Sequence, residues 1–257
     1  PDQQAYASVR VAHREPTRNN YEESFSAHAP RAARLVDYEA GYRYNGQKFE
    51  VSAGLYWMQY KDQFVLNGNL NEIGEAISEN VADSHRAGIE LAGAWKLCSM
   101  FRWDANVTFS QNQIKDYVAY LPNAYWSKGI AQPARKNTTI SFSPSVVANN
   151  RFTFDYRGFT ASLTSQYVGR QYLDNMEVRE NSLDAYFVSH LSAAYTFRLP
   201  SVKEVTIGAT VYNLFNSKYE TNGYSQSYVD GTGTVFHDPR FYPMAGTNFL
   251  VNVGLKF

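Results

Sequence analysis

The chain has 257 residues, 24 basic and 24 acidic, so its formal net charge is zero and no basic face is available to hold nucleic acid. Mean hydropathy is -0.44 and aromatics make up 16% of the chain, with 20 Tyr and 16 Phe, a content that suits sheet surfaces and membrane-interface girdles. The single cysteine, Cys98, excludes an internal disulfide framework and reads as a small turn residue. No stretch approaches the ~18 consecutive apolar residues of a membrane helix, which excludes a helical span and leaves a membrane barrel open. The sequence starts Pro1-Asp2 with no Met and no apolar leader, and is expected to begin after any signal peptide or within a longer chain.

Period-2 alternation recurs from end to end. From Phe49 the apolar set is Phe49, Val51, Ala53, Leu55 and Trp57, against Glu50, Ser52, Gly54, Tyr56 and Met58. From Phe101 it is Phe101, Trp103, Ala105, Val107 and Phe109, against Arg102, Asp104, Asn106, Thr108 and Ser110. Val205, Ile207, Ala209 and Val211 alternate with Glu204, Thr206, Gly208 and Thr210. At the end, Thr247, Phe249, Val251, Val253, Leu255 and Phe257 share one face, with Leu250 the exception on the other. The pattern predicts about ten strands of roughly 8–16 residues, longer than the ~5–6 of globular strands and sufficient for the ~9–11 of an oblique bilayer crossing.

Connections alternate long and short. Short ones fall near Tyr44-Asn45-Gly46, Leu97-Cys98, Arg157-Gly158 and Leu199-Pro200, and Asn-Gly between alternating runs is a hairpin signal. Long ones cover roughly 13–32, 61–83, 118–144, 173–183 and 217–245. One rim therefore carries all the elaborated loops, as in outer-membrane barrels, whereas Greek-key links in a sandwich give no reason for this. Alternation alone does not choose between the two, since one buries its apolar face and the other turns it to lipid. The polar face carries Glu50, Arg86, Glu90, Lys96, Arg102, Asp104 and Arg170, and the apolar rows end in aromatics such as Trp57, Trp95 and Phe109, as interfacial girdles do.

The stretch Val211-Tyr212-Asn213-Leu214-Phe215-Asn216, followed by Tyr219, resembles the penultimate-strand motif of TonB-dependent outer-membrane receptors, and the final Phe249–Phe257 run is similar to that family's last barrel strand. "SVRVAHREPTRNNY", "RLVDYEAGYRYNG", "ENVADSHRAGIELAG" and "YVGRQYLDN" resemble family segments in family order, so the similarity covers essentially all 257 residues. The resemblance implies an all-β fold: an antiparallel meander of about ten long strands forming part of a transmembrane β-barrel, with residues 1–257 as a single incomplete domain. The family's plug domain, first barrel strands and TonB-contacting segment have no counterpart here. It further implies receptor-mediated uptake of a scarce nutrient (ferric siderophore, haem, cobalamin or glycan) at the outer membrane, and no enzyme activity. The implied partners are outer-membrane lipid, the barrel-assembly machinery, a small-molecule or metal-chelate ligand, and the TonB complex only through the missing N-terminal part. The motif residues Asn213, Leu214, Phe215 and Tyr219 are expected where the chain leaves the hydrocarbon, and Phe257 as the aromatic end that the assembly machinery recognises.

Chemistry-bearing motifs are sparse. His13, His28, His85, His190 and His237 include no His-x-x-x-His or Cys-His spacing, so neither metal nor cofactor is expected. His85 falls on the lipid-facing row near the outer rim. No Gly-x-Ser-x-Gly and no phosphate-cradling Gly loop occurs. The loop candidates for ligand binding are Tyr125, Trp126, Tyr172, Tyr224, Tyr228, His237 and Phe241, because rigid aromatics with adaptable polar neighbours suit an organic ligand or metal chelate. The alternatives are an outer-membrane barrel enzyme with loop-borne hydrolytic residues, resting on His237 and Asp238, and a soluble carbohydrate-binding β-sandwich. The facing of Phe49, Val51, Leu55, Trp103, Val107, Phe109, Ile207, Val211, Phe249 and Val253 separates barrel from sandwich. These are expected outward, with Glu50, Arg102, Asp104, Thr206 and Lys256 toward the lumen.

Overall fold

A computed structural model describes residues 2–23, 28–123 and 130–257 of the chain. Ten long strands form one antiparallel sheet: β1 (Asp2–Arg14), β2 (Ala33–Asn45), β3 (Phe49–Leu70), β4 (Ala76–Lys96), β5 (Phe101–Ile114), β6 (Val146–Tyr156), β7 (Phe159–Val168), β8 (Tyr186–Leu199), β9 (Val202–Tyr212) and β10 (Asn248–Lys256). Each pairs with its sequence neighbours, the arrangement expected of a meander. The helical content among the described residues is one five-residue helix, Arg18–Glu22, and a three-residue 3-10 turn, Arg179–Asn181. β1 and β10 do not pair, so the sheet is open and both edges are left for other chain to cover rather than closing on each other. Among the described residues one isolated parallel bridge, Asn123 to Val229, lies in the loops and not in the sheet.

The predicted connection 61–83 is not a loop. β3 runs 22 residues and β4 runs 21, both beyond the expected strand length, and only a tight turn separates them, closed by Asn71 N–H to the Glu75 carbonyl at 2.8 Å. Ladder pairing from Gln63–Val81 to Leu66–Ser78 carries the strand up to a bulge at Asn67-Gly68-Asn69, where Gly68 has φ 92°.

The apolar rows are exposed, as a lipid-facing wall requires. Phe49, Val51, Leu55, Trp57, Phe109, Ile207, Phe249 and Val253 are each at least 47% exposed, Trp103 is 37%, and Val107 and Val211 are partly exposed. The exception is Val205, 6% exposed although read as lipid-facing, because its register partners Phe197 and Leu255 flank it on the same face. Aromatics recur eight residues apart along single strands: Phe49 and Trp57, Phe159 and Tyr167, Phe187 and Tyr195, Phe249 and Phe257. At ~3.3 Å per residue and a tilt of ~40°, that spacing is about 20 Å of height, close to the ~25 Å apolar band of an outer-membrane barrel. On the opposite face Tyr6 lies over its partner Gly41 and Tyr56 over Gly88, where any Cβ would overlap the ring.

The solvent outside the wall is recorded in β3 and β4 themselves. Odd-numbered residues Val51, Leu55, Trp57, Ile89 and Leu91 are exposed, but farther out the odd-numbered Val65, Ile77 and Val81 are 4–5% exposed. The change falls at Asp62, whose φ is 50° and where the ladder skips one pair. Below Asp62 the odd-numbered apolar residues face out; above it Val65 and Val81 pack into the loop centre, with Phe64 covered on the other face beneath Arg14. A change of surroundings from hydrocarbon to water makes both arrangements favourable within one hairpin.

Candidate functional site

The outer end of the β3–β4 hairpin and the connections 118–144, 173–183 and 217–245 fold over the polar face at the same rim and pack on each other. Their apolar centre consists of Val65, Val81, Ile114, Tyr117, Ala119, Leu121, Ile140, Met176 and Val229. Covering the polar face and leaving the apolar one bare is the reverse of a sandwich, and it identifies the polar face as the lumen.

The segment 138–145 dips toward the barrel wall. Ile140 N–H donates to the Asn112 carbonyl at 3.0 Å, Phe142 N–H to the Tyr172 carbonyl at 2.9 Å, and Ser141 N–H to Oδ1 of Asn175 at 2.8 Å. Asn175, fully buried, donates in turn to the Leu66 carbonyl at 2.8 Å, and so does the Ser141 hydroxyl at 2.9 Å. From the wall, Arg86 reaches Ser143 Oγ at 2.9 Å. A continuous polar path thus joins the lumen wall to the loop tips.

At the tips, Asn181 Nδ2 donates to Asp174 Oδ2 at 2.8 Å and lies 2.9 Å from Nδ1 of His237, which is 2.9 Å from Ser227 Oγ. Asp174 also accepts from Met176 N–H at 2.9 Å. Burial pushes the Asp174 carboxyl above its usual range, against the lowering effects of those hydrogen bonds and of His237 and Arg135. Among the described residues Oδ1 of Asn181, both amide atoms of Asn69 and Nδ2 of Asn67 are buried without a hydrogen-bond partner. On the β3–β4 hairpin, beyond the hydrocarbon, Glu79 is 3% exposed; burial raises its carboxyl to about 7, opposed by the hydrogen bond from Tyr117.

Serine, histidine and aspartate meet here, but without the aspartate–imidazole contact of a triad. Ser227 is 2% exposed, and Asp174 binds Asn181 rather than the imidazole. Asp238, the other acid of the enzyme reading, holds Arg240 at 2.8 Å.

The loop candidates separate. Tyr224 and Tyr242 rings lie 6.2 Å apart, and Tyr228 stacks on Phe236 at 5.4 Å. These pairs stand on two small hairpins of one loop, Glu220–Ser225 with Pro239–Pro243 and Tyr228–Val229 with Val235–Phe236; Phe241 faces Gly223 across the first. His237 is tied into the buried network. Tyr172 belongs to the neighbouring loop, paired with Ser182. Tyr125 and Trp126 lie outside the described residues. Sequence reading missed Glu79, Tyr117, Asp174, Asn175 and Asn181. The signal available was a short acid or amide run between apolar residues, as in Leu173-Asp174-Asn175-Met176.

The motif Asn213–Asn216 is a rim turn. Both asparagines have positive φ, 49° and 53°. Asn213, 2% exposed, accepts from Ser217 N–H at 2.9 Å and donates to the Ser217 and Ala245 carbonyls at 2.9 and 3.1 Å, while its own N–H donates to His190 Nδ1 at 3.1 Å. Asn216 Oδ1 accepts from Thr247 N–H at 3.1 Å. Leu214 N–H donates to the Ser189 carbonyl at 2.8 Å, Phe215 is 65% exposed, and Tyr219 lies 4.7 Å from Tyr186. The turn therefore knits β8, β9 and the start of β10 at the outer rim. At the other end of β10, the Phe257 carbonyl accepts from Lys203 Nζ at 2.8 Å.

An open antiparallel meander with an apolar outer wall and loops gathered over a polar lumen is a segment of an outer-membrane barrel. The family model for the TonB dependent receptor-like beta-barrel matches residues 1–214, and the chain belongs to that family, whose members are outer-membrane proteins of Gram-negative bacteria. It is 22% identical to the pesticin receptor of Yersinia enterocolitica over 193 residues, 75% of this chain and 26% of that relative. Among solved structures it is similar to the ferric yersiniabactin uptake receptor FyuA from Yersinia pestis, with a TM-score of 0.63, 19% identity, and coverage of 98% of this chain and 34% of that one. The siderophore receptor PiuA from Acinetobacter baumannii gives a TM-score of 0.69 at 13% identity, covering 98% and 33%. The chain thus spans about a quarter of the curated relative it matches and a third of the solved receptors.

Proposed function

We propose that residues 1–257 form one continuous C-terminal portion of a receptor barrel that takes up a ferric chelate, with TonB acting through a preceding N-terminal part. The observation that carries this reading is the gathering of the β3–β4 hairpin and three loops over the polar lumen face, with a tilted Tyr224–Tyr242 pair and a stacked Tyr228–Phe236 pair on a buried polar network. Rigid aromatic faces and hydroxyls suit an organic chelate. The similarity to FyuA and PiuA, a ferric yersiniabactin and a siderophore receptor, favours this class over haem, cobalamin or glycan.

The test is binding of a panel of ferric siderophores, haem, cobalamin and oligosaccharide to the receptor carrying this chain, with and without the loop tip 226–238. Saturable binding of a ferric siderophore, lost on tip removal while heat-modifiable migration persists, supports the proposal. Binding of only a non-chelate ligand, or none of the panel, overturns it.

A further inference from the structure

Between the aromatic girdles, the outward side chains of β4–β8 are apolar or glycine except Asn150 on β6, Ser165 on β7 and Ser189 on β8. The two serines are paired in register, lie with their hydroxyls 2.8 Å apart and are both buried, so they satisfy each other. Asn150 differs. It is half-buried, and its side chain has no hydrogen-bond partner among the described residues.

The depth of Asn150 follows from the ladder. Phe154 pairs Phe101 at the periplasmic girdle and Val146 pairs Phe109 at the outer one, and Asn150 stands midway between them, paired with Ala105. Four residues are ~13 Å of strand, or about 10 Å of height at the tilt of such barrels. The amide is therefore at the middle of the hydrocarbon, where lipid tails offer neither donor nor acceptor. Polar side chains at that depth are costly and are ordinarily turned to protein or water. This one is turned outward, into a groove of about 950 Å³ walled by Leu91, Trp103, Val107, Tyr167 and Phe187.

We propose that the outer wall of β5–β7 is an interface between two copies of the receptor, with the two Asn150 side chains hydrogen-bonded to each other at its two-fold axis. Copies in one membrane share an orientation, so an axis along the membrane normal sets each residue against its own height, and the residue on the axis against itself. An amide carries a donor and an acceptor and is satisfied by its own copy: each Nδ2–H donates to the other Oδ1. A lipid tail satisfies neither group.

The wall is free to serve this purpose. β1 and β10 are the edges where further barrel continues, whereas β5–β7 lie in the middle of the sheet with the loops on its opposite face. Its size is sufficient. The five strands β4–β8, ~4.8 Å apart over an apolar band ~25 Å tall, present roughly 600 Å² per copy and about 1,200 Å² in a pair, the lower end of specific interfaces.

The receptor carrying this chain is labelled with donor and acceptor dyes at the exposed Cys98 thiol, placed in phosphatidylcholine vesicles and diluted with lipid. Energy transfer should exceed random encounter and fall along a monomer–dimer isotherm. Asn150→Leu should weaken association about tenfold, with heat-modifiable migration unchanged because leucine suits a lipid-facing site. Asn150→Gln should keep most of the association. Ala148→Trp should block it by bulk, whereas Val253→Trp, at the same height on β10, should not. Transfer no greater than random encounter in wild type, or equal loss from Ala148→Trp and Val253→Trp, would overturn the interface. So would association of Asn150→Leu as strong as wild type, which would leave lipid as the cover of this wall.

Discussion

The Tyr117 hydroxyl donates to Oε1 of Glu79 at 3.2 Å, and Oε2 of the same carboxyl has no partner among the described residues. Both residues sit in the apolar centre of the loops, Glu79 at 3% and Tyr117 at 4% exposure. Burial raises the tyrosine well above its ordinary range, with the charge of Glu79 adding to the effect, so it remains a donor throughout the accessible pH range.

Loop packing should therefore weaken as pH rises. The folded carboxyl, at about 7 against an ordinary 4.5, binds protons more tightly than the unfolded one. Its contribution is fully present below 4.5, declines across the interval, and is lost once pH passes about 7. A rise from 4.5 to 7 corresponds to roughly 3 kcal/mol. Glu79→Gln removes the ionisation, so limited proteolysis of the loops should be much slower than in wild type at pH 8 and little changed at pH 5. A wild-type rate constant across that range, after correction for the protease, would sink the idea.

The inversion at Asp62 makes a paired prediction. Leu55→Lys places a charge in hydrocarbon and should cost about 2–4 kcal/mol for folding into lipid vesicles, as should Val107→Arg. Val65→Lys, on the same strand and parity, should leave insertion nearly unchanged but expose the loops to protease, because Val65 packs in the loop centre. Insertion loss from Val65→Lys equal to that from Leu55→Lys would place the membrane boundary beyond Asp62.

Much of the fold is legible in the residue pattern alone. Strands β5, β9 and β10 alternate so strictly that existence, face and pairing follow from period 2, and the lipid reading follows from which rim carries the loops. The β3–β4 extension is not legible. Asn67, Gly68 and Asn69 carry turn chemistry and form a bulge with Gly68 at φ 92°, and the strand continues past them only because pairing up to Leu66–Ser78 and again at Leu70–Ala76 holds either side. Nor is the inversion legible, because it depends on φ at one aspartate. The buried loop network escapes for the same reason: Asp174 and Asn181 are ordinary loop residues by type, and their significance is the burial that the β3–β4 hairpin and three separate connections impose together.

Asn213 should be hard to replace. Its left-handed backbone costs an ordinary L-residue about 1–2 kcal/mol, and its side chain makes three hydrogen bonds worth about 1 kcal/mol each. Asn213→Ala loses both and should lower stability by roughly 4–5 kcal/mol, read as the urea midpoint of heat-modifiable migration. Asn213→Gly keeps the backbone conformation and should recover about a quarter to two-fifths of that loss. Equal midpoints for the two variants would mean that the side-chain bonds alone matter.

His237 ties the loop tip 226–238 to Asn181, and its removal distinguishes a structural imidazole from a reactive one. His237→Ala leaves Ser227 and Asn181 each short of one partner in a buried network, at a cost of about 1–3 kcal/mol. His237→Asn, which offers an amide near the same place, should restore part of it. The expected readout is faster proteolysis between 217 and 245 in the alanine variant, partly reversed by asparagine, with barrel migration unchanged. Ser227→Ala should act in the same direction and more weakly, since it removes one hydroxyl from beside the same nitrogen. If Ser227→Ala instead abolishes turnover of an ester probe while leaving the loop as resistant to protease as wild type, the Ser227–His237 contact is chemical and the loop tip opens to admit substrate.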